Sequence, residues 1–83
     1  MSKRQKTFEK ILAGSKNVSF NEFVSLVEGF GFVLERTNGS HHIFIHPDIP
    51  DLVNIQNYKG QAKIYQIKQF LQLVEQYNLT LGD

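Results

Sequence analysis

The dipeptide Asn38-Gly39 stands between two runs rich in aromatic and β-branched residues, Phe30 to Thr37 and Ser40 to His46. Both turn positions tolerate positive φ, and a two-residue loop of that kind matches the right-handed twist of the strands it joins, so the pair predicts a β-hairpin. With Asn38-Gly39 as the turn, Thr37 pairs with Ser40 and Arg36 comes opposite His41. Pro47-Asp48-Ile49-Pro50 then reads as a rigid turn, and Asp51 to Gln56 as a third antiparallel strand.

Helical spacing surrounds this sheet. Ser19-Phe20-Asn21-Glu22 has the form of a capping box, in which the serine hydroxyl and the glutamate carboxylate each satisfy a backbone N–H that the helix leaves free. Phe20, Phe23, Val24 and Val27 follow on one face, and Gly29 reads as the left-handed stop, giving a helix over 19–28. Upstream, Phe8, Ile11 and Leu12 have the spacing of a short amphipathic helix that Gly14 ends. Downstream, residues 57–60 break the pattern, and Ile64, Ile67, Leu71 and Val74, with Phe70 and Tyr77 beside them, predict a helix over 62–78.

Strands grouped together between helices imply an antiparallel sheet with its helices on one face, an α+β domain of two layers. Residues 1–83 are expected to form one domain, with 1–16 as an N-terminal extension carrying the first helix. One helix, a three-stranded meander and a closing helix is an arrangement similar to that of double-stranded RNA-binding domains, a likeness of layout that does not establish function.

A chain of 83 residues has room for one hydrophobic core, and its 41% apolar residues, seven of them Phe, suffice to fill it. The absence of cysteine excludes a disulfide framework, a zinc–thiolate site and a cysteine nucleophile together, and it permits a cytoplasmic location. The stretch from Met1 to Lys10 is polar, with Lys3, Arg4, Lys6 and Lys10, so it reads neither as a signal peptide nor as a membrane span. Net charge is only +1, but no acidic residue lies between Lys59 and Lys68, which with Lys63 makes a local basic patch.

All three histidines, His41, His42 and His46, fall on the second predicted strand. Side chains alternate along a strand, so His41 faces one side of the sheet while His42 and His46 share the other. Histidine as a residue type titrates at about 6.5, which suits it to give and take protons at neutral pH. His42 and His46 lie about 13 Å apart at roughly 3.3 Å per residue, too far to share one zinc ion, so no metal ligands and no cofactor are assigned. From residue type alone, acid–base catalysis and an ordinary surface role both remain open. Lys59 and Lys63, next to the free N–H groups at the start of the last helix, would make an anion-binding corner or simply a solvated helix start. Tyr65 and Tyr77 read as edging the core, with their hydroxyls wet.

The run Gly39-Ser40-His41-His42-Ile43-Phe44-Ile45-His46-Pro47 resembles the signature of the HicA toxin family, in which glycine, serine and histidine open the second strand and a His-Pro pair often closes it. Lys59-Gly60-Gln61-Ala62-Lys63 before an amphipathic helix, and the capped helix ending in Gly29-Phe30-Gly31-Phe32, extend the resemblance from about Phe8 to Leu79. The resemblance implies a shortened double-stranded RNA-binding fold with ribonuclease activity, acting on mRNA as the toxin of a type II toxin–antitoxin pair with a HicB antitoxin. It also implies that the catalytic histidine is the one directly after Ser40, which is His41. The N-terminal stretch over 1–16 departs from the shortest members of that family.

On this reading His41 acts as general base or general acid without a metal ion, which contributes on the order of 10² to 10⁴-fold per role. A single histidine makes a slow nuclease unless another group moves the second proton. Arg36 or Lys63 would stabilise the charged phosphorane, Ser40 would orient the ring or satisfy the hairpin end, and Lys59 would hold phosphate. Two other classes compete with this reading: a non-catalytic RNA-binding module using the same corner, and a protein-interaction domain whose exposed strand extends a partner's sheet.

Overall fold

The computed structural model describes residues 3–82; Met1 and Ser2, which open the expected extension, and Asp83 lie outside the described residues. The chain runs through α1 (Lys3–Leu12), α2 (Phe20–Gly29), β1 (Val33–Asn38), β2 (His41–His46), β3 (Ile49–Gln56) and α3 (Ile64–Gln76). The strands form one antiparallel sheet in the order β1-β2-β3. This is the expected α+β layout, a helix, a three-stranded meander and a helix as in double-stranded RNA-binding domains, preceded by an extra helix.

Phe70 of α3 organises the core. It is fully buried, and its ring meets Phe23 of α2 and Phe30 at 5.4 Å each and Phe32 at 5.8 Å, all edge to face. That geometry sets the positive edge of one ring against the negative face of the next. Phe44 of β2, Val53 and Ile55 of β3, and Leu26 and Val27 of α2 complete the cluster. On β2, Phe44 points to the helices together with His42 and His46, whereas His41, Ile43 and Ile45 point to the outer face of the sheet.

The extra helix is tied down by polar and apolar contacts together. Ile11 is buried, Phe8 meets Phe30 edge to face at 5.2 Å, Arg4 Nε donates to Ser25 Oγ at 3.2 Å, and Lys10 pairs with Glu22 at 3.0 Å. Leu12, expected on the buried face, is 60% exposed: it is the last residue of α1 and lies about 100° round the helix from buried Ile11. At the other end of the chain Tyr77 donates a hydrogen bond to the Asp51 carboxylate at 2.9 Å. That bond, with desolvation and the carboxylate's charge adding in the same direction, pushes the phenol above its ordinary pKa.

Several local expectations are corrected. The capping box is half made: Ser19 Oγ accepts from the Glu22 N–H at 3.1 Å, but the Glu22 carboxylate turns to Lys10. The left-handed glycine after α2 is Gly31, at φ +97°, while Gly29 is the last helical residue; a Cβ on Gly31 would also come within 3.0 Å of His46 Nε2. The hairpin turn is Gly39-Ser40, with Asn38 paired to His41. Arg36 therefore faces Ile43 rather than His41, and Glu35 is the extra residue of a β-bulge between Leu34 and Arg36. Only Pro47 and Asp48 separate β2 from β3; Ile49 and Pro50 belong to the strand. Pro50 is tolerated because β3 is an edge strand and its register shifts between Phe44 and His46. Tyr65 is 54% exposed and does not edge the core.

Phe70→Ala should cost about 3 to 5 kcal/mol, the range for removing a large buried aromatic side chain. A domain of this size has roughly 4 to 12 kcal/mol in hand at 0.05 to 0.15 kcal/mol per residue. Urea denaturation should accordingly show a midpoint lowered by a quarter or more, or no folded baseline at all.

Candidate active site on the open sheet face

His41 opens β2, directly after the tight turn at Gly39, whose φ of +62° is open to glycine without strain. Its Nδ1 lies 3.2 Å from Asn54 Oδ1 on β3. An amide oxygen only accepts, so Nδ1 carries a proton and, in the neutral ring, Nε2 presents the lone pair. The ring is half-exposed, and Asn54 beside it is exposed. Asn38 and Gln56 flank His41 across the sheet on either side. Arg36 lies on the same face one pair further along, a diagonal neighbour of His41, and its Nη1 donates to the Glu35 carboxylate at 3.0 Å.

His42 points the other way. Its ring lies 4.7 Å from that of Phe20 at the start of α2, and its Nδ1 donates to the Ser40 carbonyl at 3.1 Å. A carbonyl cannot donate, so this imidazole too keeps Nε2 as its acceptor. Ser40 thus orients a ring through its backbone, and the ring is that of His42. His46 is occupied structurally: its Nδ1 accepts the Asp48 N–H at 3.0 Å, closing the β2–β3 turn, and its ring meets Phe32 edge to face at 5.0 Å.

The lysine corner is built by a second tight turn. Tyr58 and Gln61 exchange backbone hydrogen bonds at 3.0 and 2.9 Å around Lys59-Gly60, whose φ values of +53° and +82° are both left-handed. The turn is braced on three sides. Asn57 Oδ1 accepts the Gly60 N–H at 2.9 Å, the Gly60 carbonyl accepts the Phe20 N–H at 2.9 Å, and the Ala62 N–H donates to Val18 at 3.0 Å. Asn57 N–H in turn donates to the Ser40 carbonyl at 2.9 Å. The hairpin tip bearing His41 and the loop bearing Lys59 are therefore joined at one end of the sheet. Within the loop, the ammonium groups of Lys59 and Lys63 lie 5.6 and 5.1 Å from the ring centre of Tyr58, which is 51% exposed. Lys63 supplies the N-cap position of α3 without a side-chain cap, and the first turn of α3 holds no carboxylate.

Residues 20–75 match the model of a protein family described as the HicA toxin of bacterial toxin-antitoxin. The chain belongs to the HicA toxin family. Membership makes it the toxin side of a toxin–antitoxin pair and implies an antitoxin partner. No curated protein matches the chain. The HicA match takes in α2, the whole sheet and all but the last residue of α3, and it leaves α1 outside. No helix among the described residues is long and apolar enough to cross a membrane.

Sequence reasoning located the histidines and lysines of this HicA chain but missed three side chains around them. Asn54 was unremarkable until the register of β3 put it beside His41. Tyr58 adjoins the predicted corner in sequence, yet only the left-handed turn folds both lysines back onto its ring. Gln66, 2% exposed, accepts the Gln56 N–H at 2.7 Å and so clamps α3 to the end of β3 that pairs with His41. A polar residue on the apolar face of a helix was the signal available for it.

Lys59 holds a left-handed conformation that asparagine and glycine adopt at lower cost. Lys59→Asn should therefore raise stability by about 0.5 kcal/mol, seen as a rise in melting temperature of roughly 2 to 4 °C. The same substitution removes a cation from the corner, so any RNA affinity should fall while the melting temperature rises.

Proposed function

We propose that this HicA toxin is a metal-independent endoribonuclease that cleaves mRNA in the cytoplasm with His41 as its acid–base group, and that a HicB-type antitoxin restrains it. The observation that carries the reading is the His41 imidazole on an open sheet face, its Nδ1–H committed to Asn54 and its Nε2 free. A histidine held in one tautomer by a second side chain is prepared for proton transfer at the other nitrogen. In one role Nε2 takes the ribose 2′-hydroxyl proton as the 2′-oxygen bonds to phosphorus and the bond to the 5′-oxygen breaks. In the other, the protonated ring gives its proton to that departing 5′-oxygen.

The remaining residues serve the phosphate. Lys59 and Lys63, with the uncapped start of α3, provide fixed positive charge at the end of the sheet where the hairpin tip is tied. Arg36, diagonal to His41, adds a cation on the same face, tempered by Glu35. Ser40 fixes the tip by accepting two hydrogen bonds through its carbonyl. An open surface of this kind suits a polymer, which brings its own walls to the site, better than a small metabolite that needs a cavity.

A second reading places His42 in the acid–base role. It is favoured by the contact with Phe20, whose N–H is bonded to Gly60 in the middle of the lysine turn. The two histidines lie on opposite faces, so separate substitutions distinguish them. Purified wild type should cleave cellular RNA in chelator, His41→Ala should lose at least 10²-fold in rate, and His42→Ala should retain most of it. The reverse pattern moves the chemistry to His42. RNA bound without cleavage by wild type would instead identify a non-catalytic RNA-binding module.

A further inference from the structure

We propose that α1, which lies outside the family match, is a second RNA-binding element that carries the phosphate backbone away from the lysine corner. This rests on the ribonuclease reading and extends it to a part of the chain with no role so far.

Packing fixes which way α1 faces. Thr7 and Ile11 are buried, Phe8 meets Phe30, and Arg4 is spent on Ser25. Lys3, Lys6 and Lys10 stand beside that packed face, next to Thr7; they fall within an arc of roughly 60° at 3.6 residues per turn and span about 10 Å at 1.5 Å per residue. These three lysines line one groove of about 240 Å³ with Thr7 and Glu22. Lys3 and Lys6 are exposed and stand one turn apart on the helix. The helix holds four cations against one carboxylate, Glu9, a density that the chain's net charge of +1 conceals.

The stripe ends at the site. Lys10 pairs with Glu22 in the first turn of α2; Ser19 caps that turn, and the Phe20 N–H next to it is bonded to Gly60 of the lysine turn. Lys3, Lys6 and Lys10 therefore run along α1 toward the turn that holds Lys59, with the N-terminus of α2 between them. A row of fixed cations leading from a phosphate-binding corner matches a polyanion with regularly spaced charges. Glu22 is the one carboxylate lining the groove, and its pairing with Lys10 withholds that cation from RNA.

The test is the salt dependence of binding to a 2′-O-methyl RNA hairpin, which keeps the backbone charge and cannot be cleaved through a 2′-hydroxyl. Lys3→Gln/Lys6→Gln should weaken binding and flatten the slope of log affinity against log salt by about 1.5, for two phosphate contacts at roughly 0.7 to 0.9 each. Lys16→Gln removes one charge from an exposed lysine that belongs neither to this groove nor to the lysine corner and should leave the slope unchanged. Lys3→Arg/Lys6→Arg should restore it. Glu22→Gln, which leaves α1 intact, should tighten binding by freeing Lys10. An equal loss per charge from Lys16→Gln, or no change in Lys3→Gln/Lys6→Gln and in Glu22→Gln, would overturn the role of α1 while leaving the ribonuclease reading in place. Failure of the wild type to bind the hairpin or cleave RNA would overturn both.

Discussion

The ring of Phe70 joins α3 to α2 and to the entry to the sheet through its edge-to-face contacts with Phe23, Phe30 and Phe32. A domain this small hides only about 60% of the surface its unfolded chain exposes, so few side chains can be central and each carries a large share. One aromatic cluster on one side of the sheet has a consequence for the other side. The outer face receives no layer, and β1 is exposed along its entire length. Surface that the core does not use is where His41, Asn54 and Arg36 stand.

The positions of these residues show what a sequence can and cannot specify. The hairpin was legible because Asn38-Gly39 separates two strand-like runs, and the face of each histidine was legible because Phe44 must point inward. The pairing was not. Moving the turn to Gly39-Ser40 displaced the register by two residues, which keeps every side chain on its face but changes its partner. Arg36 thereby passed from direct neighbour of His41 to diagonal neighbour, and Asn38 took its place. Turn chemistry that favours either dipeptide cannot choose between them; the bulge at Glu35 and the pairing of β2 with β3 decide it.

The lysine turn was harder to read for a different reason. A left-handed pair is announced by asparagine or aspartate before glycine, and Lys59-Gly60 lacks that announcement. Tertiary bonds impose the conformation instead: Asn57 on the Gly60 N–H, Gly60 on Phe20, Ala62 on Val18. The same bonds hold the chain entering α2 to the loop, while Glu22 pairs with Lys10 instead of completing the capping box. Strain kept at one residue by so many supports is characteristic of sites whose geometry serves a ligand. Gln66 follows the same logic, as a buried polar side chain whose purpose is visible only beside the Gln56 N–H that it accepts.

Control of such a molecule follows from where its core lies. An enzyme with its site in a cleft can close a loop over it, but every helix of this fold is committed to the inner face or packed against α2, and the loop nearest His41 is braced by the hydrogen bonds that build the lysine turn. Among the described residues no element is free to shield the sheet. Family membership implies an antitoxin partner, and on the proposed reading of His41 that partner would restrain the toxin by lying against the open face. A partner binding only the folded chain also stabilises it by mass action, and a domain with a single modest core gains proportionately more from that than a large one. On that reading the thin architecture that exposes the histidine is the same feature that would make an antitoxin effective both as a cover and as a support for the fold.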